Sequence, residues 1–481
     1  MKVLIYVLVV ILGLLLVALI RTLLMKPTSA KDAKVVLDTS ERAEKYGQRL
    51  SRMIQKETIS CRNQEDRTKF YEFHKLLETE FPLIHEKCEK HDFNGSLLFK
   101  WSGQNKAEPI LFMSHQDVVE ATGQWKHEPF SGHIDETGRV WGRGTVDTKA
   151  SLMCMLSAVE EMIESGFQPL GDVYIASSCT EEWGGDGAPA TVAYLEKQGV
   201  KLSLVIEEGG MIFEKPVGGV NGTYAMIGVV EKGYGDVKFT AKGKGGHSSA
   251  PTKNTPLVRL GQFMAYVEKN YPFKSEYTPT VSEMFARFAP NMDFGMKFLF
   301  GNMWLFKPLM PVVLPAVSSA AAAMLRTTLA FTMAEGSQGA NVLPHEAHVI
   351  GNMRFIHHQD DKESIRIISE IAKKFDIEAH ALYVDAPWPV VDFKGKQFNL
   401  VEEVIHEIYP GIGVSPYVMT GGTDAKFYSR ICDHCIRFAP LYIDGQQYGS
   451  IHGLNENVNQ GALPKAVDFY KNVIKKAGYR L

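Results

Sequence analysis

Short apolar runs separated by segments of helical period recur along the chain, and this alternation allows few folds. Leu97 to Trp101, Ile110 to Ser114, Val173 to Ser177 and Leu204 to Ile206 read as strands, with Thr148 to Glu164 and Ala188 to Gln198 as helices between them. Strands that are apolar on both sides need cover on both sides, so the sheet they build carries helices on each face. Two further helical patterns, Ser40 to Lys56 and Arg67 to Glu80, precede it.

The pattern changes near Gly233. A strand from Gly235 to Lys242, a helix from Pro256 to Glu268, strands at Thr327 to Met333 and Ala347 to Phe355, a helix from Asp361 to Phe375 and a strand from Ile377 to Val384 follow in turn. This β-α-β-β-α-β order is the ferredoxin-like unit. Phe398 to Ile408 and Ile436 to Phe438 then return the chain to the first sheet. The expected fold is therefore α/β, a mixed sheet with helices on both faces, plus an inserted ferredoxin-like α+β lid domain.

The amino terminus has a different solvent. Val3 to Ile20 is uncharged and almost wholly apolar, about 27 Å of helix against a hydrocarbon core of ~30 Å. A cleaved signal would place small residues soon after this run, whereas Arg21 and Lys26 intervene before Thr28-Ser29-Ala30, so an uncleaved anchor is expected. Arg21, Lys26, Lys31 and Lys34 after the span outnumber Lys2 before it, which leans against export, while an extracytoplasmic catalytic part is the expectation; orientation stays open. A second uncharged stretch, Pro308 to Leu325, holds Pro308, Pro311 and Pro315 and reads as lid core with Phe294, Phe298, Phe300, Trp304 and Phe306, or as a surface resting on the bilayer. The expected divisions are 1–20 (anchor), 21–38 (linker), 39–233 and 386–481 (the two parts of the first domain), and 234–385 (the inserted domain).

A net charge of −3 without a basic stripe argues against nucleic acid as a partner. Six cysteines in 481 residues are too few for a disulfide scaffold, and the Cys432/Cys435 pair has no second half-site for zinc, so these read as core or loop residues.

Five segments carry chemistry. Ser114-His115-Gln116-Asp117 closes one strand, and Asp117, two residues past His115 on an extended chain, points to the same side. Trp141 to Lys149 is a glycine-rich turn delivering Asp147, either as a helix N-cap or as a carboxylate free to bridge cations. Cys179-Thr-Glu181-Glu182 and Ile206-Glu207-Glu208 each put adjacent acids at an apolar strand end, a costly arrangement unless positive charge lies beside them. Ile451-His452 adds a second imidazole. Two histidines with several carboxylates and no thiolate suit zinc, or cobalt or manganese.

The order and wording of these segments resemble the di-zinc metallopeptidase family of carboxypeptidase S, the aminoacylases, glutamate carboxypeptidase and succinyl-diaminopimelate desuccinylase, from about residue 40 to the end. The resemblance implies two Zn2+, one held by His115, Asp147 and Glu207, the other by Asp147, Glu182 and His452, with Asp147 bridging. Glu181 is the implied general base and Asp117 the orienter of His115. Many relatives carry Asp where this chain has Glu207, so either Glu207 or Glu208 is the ligand. Gly243 to Pro251 matches a lid motif whose histidine, here His247, reaches a catalytic centre, in dimeric members that of the neighbouring subunit. Asn341 and Arg354 match substrate-touching lid positions, and Gly421-Gly-Thr-Asp424 a loop beside the site, with Lys426 in place of a frequent arginine.

Those groups imply hydrolysis of an amide or peptide bond by metal-activated water, Arg354 reading a free carboxylate. The substrates would be dipeptides, C-terminal residues or N-acyl amino acids, and the nearest members carboxypeptidase S and the N-acyl-amino-acid hydrolases. The alternatives are a biosynthetic N-deacylase of the desuccinylase kind and a metal-free binding protein on the same fold.

Overall fold

The apolar runs pair into one eight-stranded mixed sheet. In spatial order its strands are Glu89–Phe93, Ser96–Trp101, Val173–Ser177, Ile110–Met113, Leu204–Glu214, Cys435–Tyr442, Thr223–Glu231 and Gly413–Met419. This computed structural model describes residues 2–63, 65–105 and 108–478; residue 1 and residues 479–481, at the ends of the first and last expected segments, lie outside the described residues. The central strands run parallel, Ile110 beside Val173 and Leu204, and Ile436 beside Ile206. Parallel neighbours bring their C-terminal ends to one edge, so the polar segments that follow them collect there.

Both sheet faces are covered. The helix Ala150–Glu164 buries 12 of its 15 residues, which makes it a core helix rather than an amphipathic one. Beside it packs Leu463–Lys476, whose Tyr470 meets Phe112 edge-on with ring centroids 5.0 Å apart. On the opposite face Ala188, Val192 and Leu195 of Gly187–Lys197 join Leu98, Leu111 and Met113 in a second core.

The second unit has its own sheet and core. Its strands lie in the order Thr328–Glu335, Glu346–Phe355, Gly233–Lys242, Glu378–Asp385, each antiparallel to its neighbour. The helices Pro256–Lys269 and Asp361–Lys373 close one face over Phe239, Phe263, Val349, Phe355 and Ile368. This is the ferredoxin-like order expected from the sequence. Lys232, at the joint between the two sheets, is buried and donates from Nζ to the carbonyls of Ala323 at 3.0 Å and Arg326 at 2.9 Å.

Between Pro256–Lys269 and Thr328–Glu335 the chain inserts five short helices, Pro279–Phe288, Phe294–Phe300, Met303–Phe306, Met310–Val317 and Ser319–Leu325. Pro308 to Leu325 is not one helix: Ser318 is extended, and its hydroxyl caps the next helix by accepting from Ala321 N at 3.2 Å. At the amino terminus Lys2–Leu24 forms one helix of 23 residues, long and apolar enough to cross a membrane, as a signal sequence also is. Only Ala18 and Thr22 of it are buried.

Leu156 lies fully buried in the core helix. Leu156→Ala is expected to cost about 2–5 kcal/mol from lost burial plus the cavity left behind. A thermal melt of the detergent-solubilised chain checks this, and a shift corresponding to under about 0.5 kcal/mol, the range of surface substitutions, would show that the helix is not core.

Candidate metal centre

His115 stands two residues past the Ile110–Met113 strand and is buried. Its Nδ1 lies 2.9 Å from the Asp117 carbonyl oxygen, which can only accept, so Nδ1 carries the hydrogen. In the neutral ring Nε2 is then a lone pair, yet it faces Asp147 Oδ1 at 3.0 Å, Glu208 Oε2 at 3.2 Å and Glu181 Oε2 at 4.0 Å. A lone pair among three carboxylates is repulsive unless the ring is protonated or a cation sits between them.

His452 mirrors this arrangement. Its Nε2 lies 3.0 Å from Asp147 Oδ2 and 3.0 Å from Glu182 Oε2. Asp147 therefore offers one oxygen to each imidazole. His452 holds φ at 56°, a left-handed backbone that costs a non-glycine residue on the order of 1–3 kcal/mol and is kept only where its surroundings fix it.

The loop presenting Asp147 is shaped from behind by Glu456. This buried carboxylate accepts from the backbone N–H of Gly144 (3.0 Å), Val146 (2.8 Å) and Asp147 (3.0 Å), and from Arg143 Nη1 at 2.7 Å. The N-cap alternative for Asp147 does not hold: the helix behind it starts at Ala150 without a side-chain cap, and the Asp147 carboxylate turns to the two imidazoles. Asp117 fixes the other wall. It accepts from Ser60 Oγ at 2.5 Å and from the backbone N–H of Glu181 (3.3 Å) and Glu182 (3.2 Å), and its Oδ1 lies 3.4 Å from His115 Nδ1.

The structure separates Glu207 from Glu208. Leu204–Glu214 continues as a strand past Ile206, so neighbouring side chains take opposite faces, and Glu208, not Glu207, turns to His115. Glu207 pairs in register with Arg437 and is buried beside Asp424, Glu208 and Glu231, with neither carboxylate oxygen hydrogen-bonded.

Electrostatics mark the cluster as starved of positive charge. Burial pushes the carboxyls of Glu181 and Glu207 well above the ordinary range, raises Glu182, and lifts Glu208 and Asp424 to about 7. Hydrogen bonds to Asp147 and Glu182 raise His452 to about 10; against its complete burial, Glu208, Asp117 and Asp147 hold His115 well above its usual value. Glu182 Oε1, both Glu207 oxygens and Asp424 Oδ2 are buried without a hydrogen-bond partner among the described residues.

These features fit a divalent cation. His115, Asp147 and Glu182, and His115, Glu181 and Glu208, each converge closely enough to hold a metal ion. Ligand atoms at about 2.0–2.1 Å from a tetrahedral zinc stand roughly 3.3 Å apart, near the 3.0–3.2 Å contacts found here.

The substrate candidates lie apart from this cluster. His247 and Asn341 sit together on the exposed ribbon that pairs Gly246–His247 with Val342–Leu343; Ser248 N donates to Asn341 O at 3.0 Å. Neither contacts a cluster carboxylate among the described residues. Arg354 lies over the Tyr234 ring at 4.7 Å, and its Nη1 approaches the space a side chain on Gly422 would fill. The adjoining Thr423 is held by Glu231, which also pairs with buried Arg437 at 2.9 Å, and Lys426 reaches Asp385 at 2.7 Å. Sequence reasoning gave no role to Glu456, Glu231 or Ser60. Glu456 alone left a signal, an acid four residues past His452 in the same turn.

A profile of peptidase family M20/M25/M40 matches residues 111–476. The chain is 31% identical over 443 residues to the probable carboxypeptidase S-like 2 of Dictyostelium discoideum, covering 89% of this chain and 84% of that protein. It is 29% identical over 428 residues to the N-fatty-acyl-amino acid synthase/hydrolase PM20D1 of Xenopus tropicalis, covering 87% and 83%. Among solved structures, the M20 family metallo-carboxypeptidase Sso-CP2 from Sulfolobus solfataricus superposes with a TM-score of 0.67 at 19% identity, covering 92% of this chain and 100% of that one. The Bacillus subtilis YXEP protein, a dinuclear metal-binding peptidase of the M20 family, superposes with a TM-score of 0.55 at 14% identity, covering 90% and 98%.

The two glutamates can be told apart by metal content. Glu208→Ala is expected to lower zinc per chain, measured by mass spectrometry after exhaustive dialysis, whereas Glu207→Ala retains it. Zinc loss in Glu207→Ala with retention in Glu208→Ala would restore the sequence assignment.

Proposed function

Because the chain belongs to peptidase family M20/M25/M40 and is a hydrolytic enzyme, we propose that it cleaves an amide or peptide bond beside a free carboxylate, in dipeptides, C-terminal residues or N-acyl amino acids. The observation that carries this reading is the shared carboxylate: Asp147 meets His115 and His452 through different oxygens, each at 3.0 Å. The metal-free alternative leaves that convergence without a cation.

The donor set supports two zinc ions, or cobalt or manganese, held by His115, Asp147 and Glu208 and by Asp147, Glu182 and His452. Such ions, when bound, polarise a carbonyl and bring the pKa of water toward about 7. Glu181 is then the proton carrier. Its burial raises its proton affinity toward what a general base needs near neutral pH, and it lies 4.0 Å from His115 Nε2, beside the cluster rather than in its closest contacts. It takes a proton from water and returns it to the leaving amine. Asp117 keeps His115 in one tautomer, and Glu456 keeps the Asp147 loop in one shape.

Arg354 is the substrate-carboxylate reader in this proposal. It is partly buried, without an ion pair among the described residues, and stands near the Gly422 loop. A guanidinium in that state is available for a bidentate fork to a carboxylate. His247 serves as an oxyanion donor only once its ribbon reaches a centre, in this chain or a partner copy, which is the role proposed for the second unit as lid and dimer surface.

The amino-terminal helix is read as an uncleaved single-pass anchor. Asn302, fully buried, donates from Nδ2 to Ala18 O at 3.1 Å and Thr22 Oγ1 at 2.9 Å. Cleavage near Ala30 would remove these two partners and leave the amide only the Phe298 carbonyl at 2.9 Å.

Glu181→Gln should lower kcat by roughly 10²–10⁴-fold at unchanged metal content. Zinc loss in that variant would instead make Glu181 a ligand. For substrate reading, amidating the free carboxylate of a dipeptide should cost on the order of 10²–10⁴ in kcat/KM, and Arg354→Ala should be poor on the free acid and indifferent to amidation. Equal hydrolysis of acid and amide by the unmodified enzyme would refute the clamp.

A further inference from the structure

The helices inserted between the second unit's first helix and its second strand serve neither the metal cluster nor the ferredoxin-like core. Residues 294–334 contain no Asp or Glu and three cations, Lys297, Lys307 and Arg326. Phe300, Met310, Leu314 and Leu325 are buried in the large core, whereas Phe294, Trp304, Leu309, Val312, Val313 and Val317 are exposed, Val312 by 74% and Val317 by 72%. Six exposed large apolar side chains between Phe294 and Val317, with Lys307 the exposed charge among them, mark a surface that something covers.

The covering is identified by what adjoins it. Asn302 lies at the start of Met303–Phe306 and clasps the last turns of Lys2–Leu24, while Lys297 Nζ reaches the Met25 carbonyl at 3.3 Å. The insert is thereby fixed at the level where that helix ends, and Val3 to Val17 project beyond it with no cover of their own. Both ends of the insert return to the same body. Asn291 holds Thr28 at 2.9 Å, and the Arg326 carbonyl is held by Lys232.

Phe294–Phe300 and Met303–Val317 are bent by 63° to one another. Met303 to Val317, about 22 Å as helix, falls short of the ~30 Å hydrocarbon core. Together the two segments are long and apolar enough for a span, but the 63° bend between them and the ties at both ends of the insert favour a seat in one leaflet over a crossing. The Trp304 indole N–H donates to Asn302 Oδ1 at 3.2 Å, with its ring 48% exposed beside the anchor's end, the depth at which tryptophan collects in membranes. Lys26, Lys297 and Lys307 then sit at headgroup depth.

We propose that Phe294 to Leu325 is a monotopic element seated in the leaflet from which the anchor emerges, with Phe294, Leu309, Val312, Val313 and Val317 among the acyl chains. It holds the body against the bilayer at a second point and so fixes its orientation, which a single helix with one linker does not. This rests on the reading of Lys2–Leu24 as an uncleaved anchor.

The full chain, reconstituted in phosphatidylcholine nanodiscs in a Cys61→Ser background, is labelled with a nitroxide at Val312→Cys, Val317→Cys, Ile11→Cys or Lys201→Cys, all exposed positions. Collision rates with oxygen and with a water-soluble nickel complex then report depth. Labels at 312 and 317 are expected to match the one at 11, with an oxygen-to-nickel ratio several-fold above that at 201. Lipid contact at 11 with water contact at 312 and 317 overturns the proposal and leaves the anchor standing; water contact at 11 as well overturns both. Quenching of Trp304 by brominated acyl chains, lost in Trp304→Phe, reads the same seat without introduced cysteines; its absence in the parent chain also overturns it.

Discussion

Negative charge held out of water governs this structure. Asp117, Asp147, Glu181, Glu182 and Glu208 converge around two imidazoles with Asp424 and Glu207 buried behind them, and two like charges 4 Å apart at an effective dielectric of 20 repel by about 4 kcal/mol. Side chains alone answer this by taking up protons, which is what the raised carboxyls and imidazoles record. Divalent cations would answer it without protons and, in the proposed chemistry, leave Glu181 free to carry one. The same crowding that makes the cluster costly therefore makes it select for metal.

A cluster under such repulsion must be held by groups outside it, and the scaffold supplies two buried ion pairs. Glu456 with Arg143 pins the Asp147 loop through three backbone N–H groups, and Glu231 with Arg437 pins Thr423 beside Asp424. Breaking a buried pair costs about 3–5 kcal/mol because the remaining charge is stranded. Ser60 and Asp117 do the same for the turn that carries Glu181 and Glu182. None of these groups touches both imidazoles, yet together they set the distances between those that do.

The parallel centre of the sheet was legible because its strands are apolar on both sides, and the ferredoxin-like unit because its alternation is regular. Three strands of the eight-stranded sheet were not. Glu89–Phe93 is a charged edge strand with little to bury, Gly413–Met419 carries Pro416, and Thr223–Glu231 is a long apolar run with no flanking chemistry to draw attention to it. In the site, Glu182 drew attention as one of two adjacent acids at an apolar strand end, while the grouping of His115, Asp147, Glu182 and His452 came from the order of their segments and the family resemblance. The choice between Glu207 and Glu208 was not, since it depends on whether the strand stops at Ile206 or runs to Glu214, and only pairing with Cys435–Tyr442 decides that. Glu456 could be seen as an acid beside His452, but its role could not be read, because its partners are backbone N–H groups more than 300 residues away in sequence.

The proposed chemistry asks more of the second unit than of the first. Arg354 stands at the end of a strand next to the Gly422 loop, and Lys426 of that segment is paired with Asp385 at the end of another, so this side of the second unit is already joined to the catalytic sheet. His247 is at the far end of the same sheet's connections, exposed, and preceded by Gly245 and Gly246 at φ of 65° and 127°. Backbone of that kind is open to glycine and strained for other residues, so it suits a ribbon that changes direction rather than one fixed by packing. Carboxylate reading at Arg354 and oxyanion donation at His247 thus make opposite demands: the first works from a fixed joint, the second needs the ribbon, or a partner copy's, to arrive. A substrate gripped by its carboxylate would then be positioned before the oxyanion donor is in place, which orders binding ahead of chemistry.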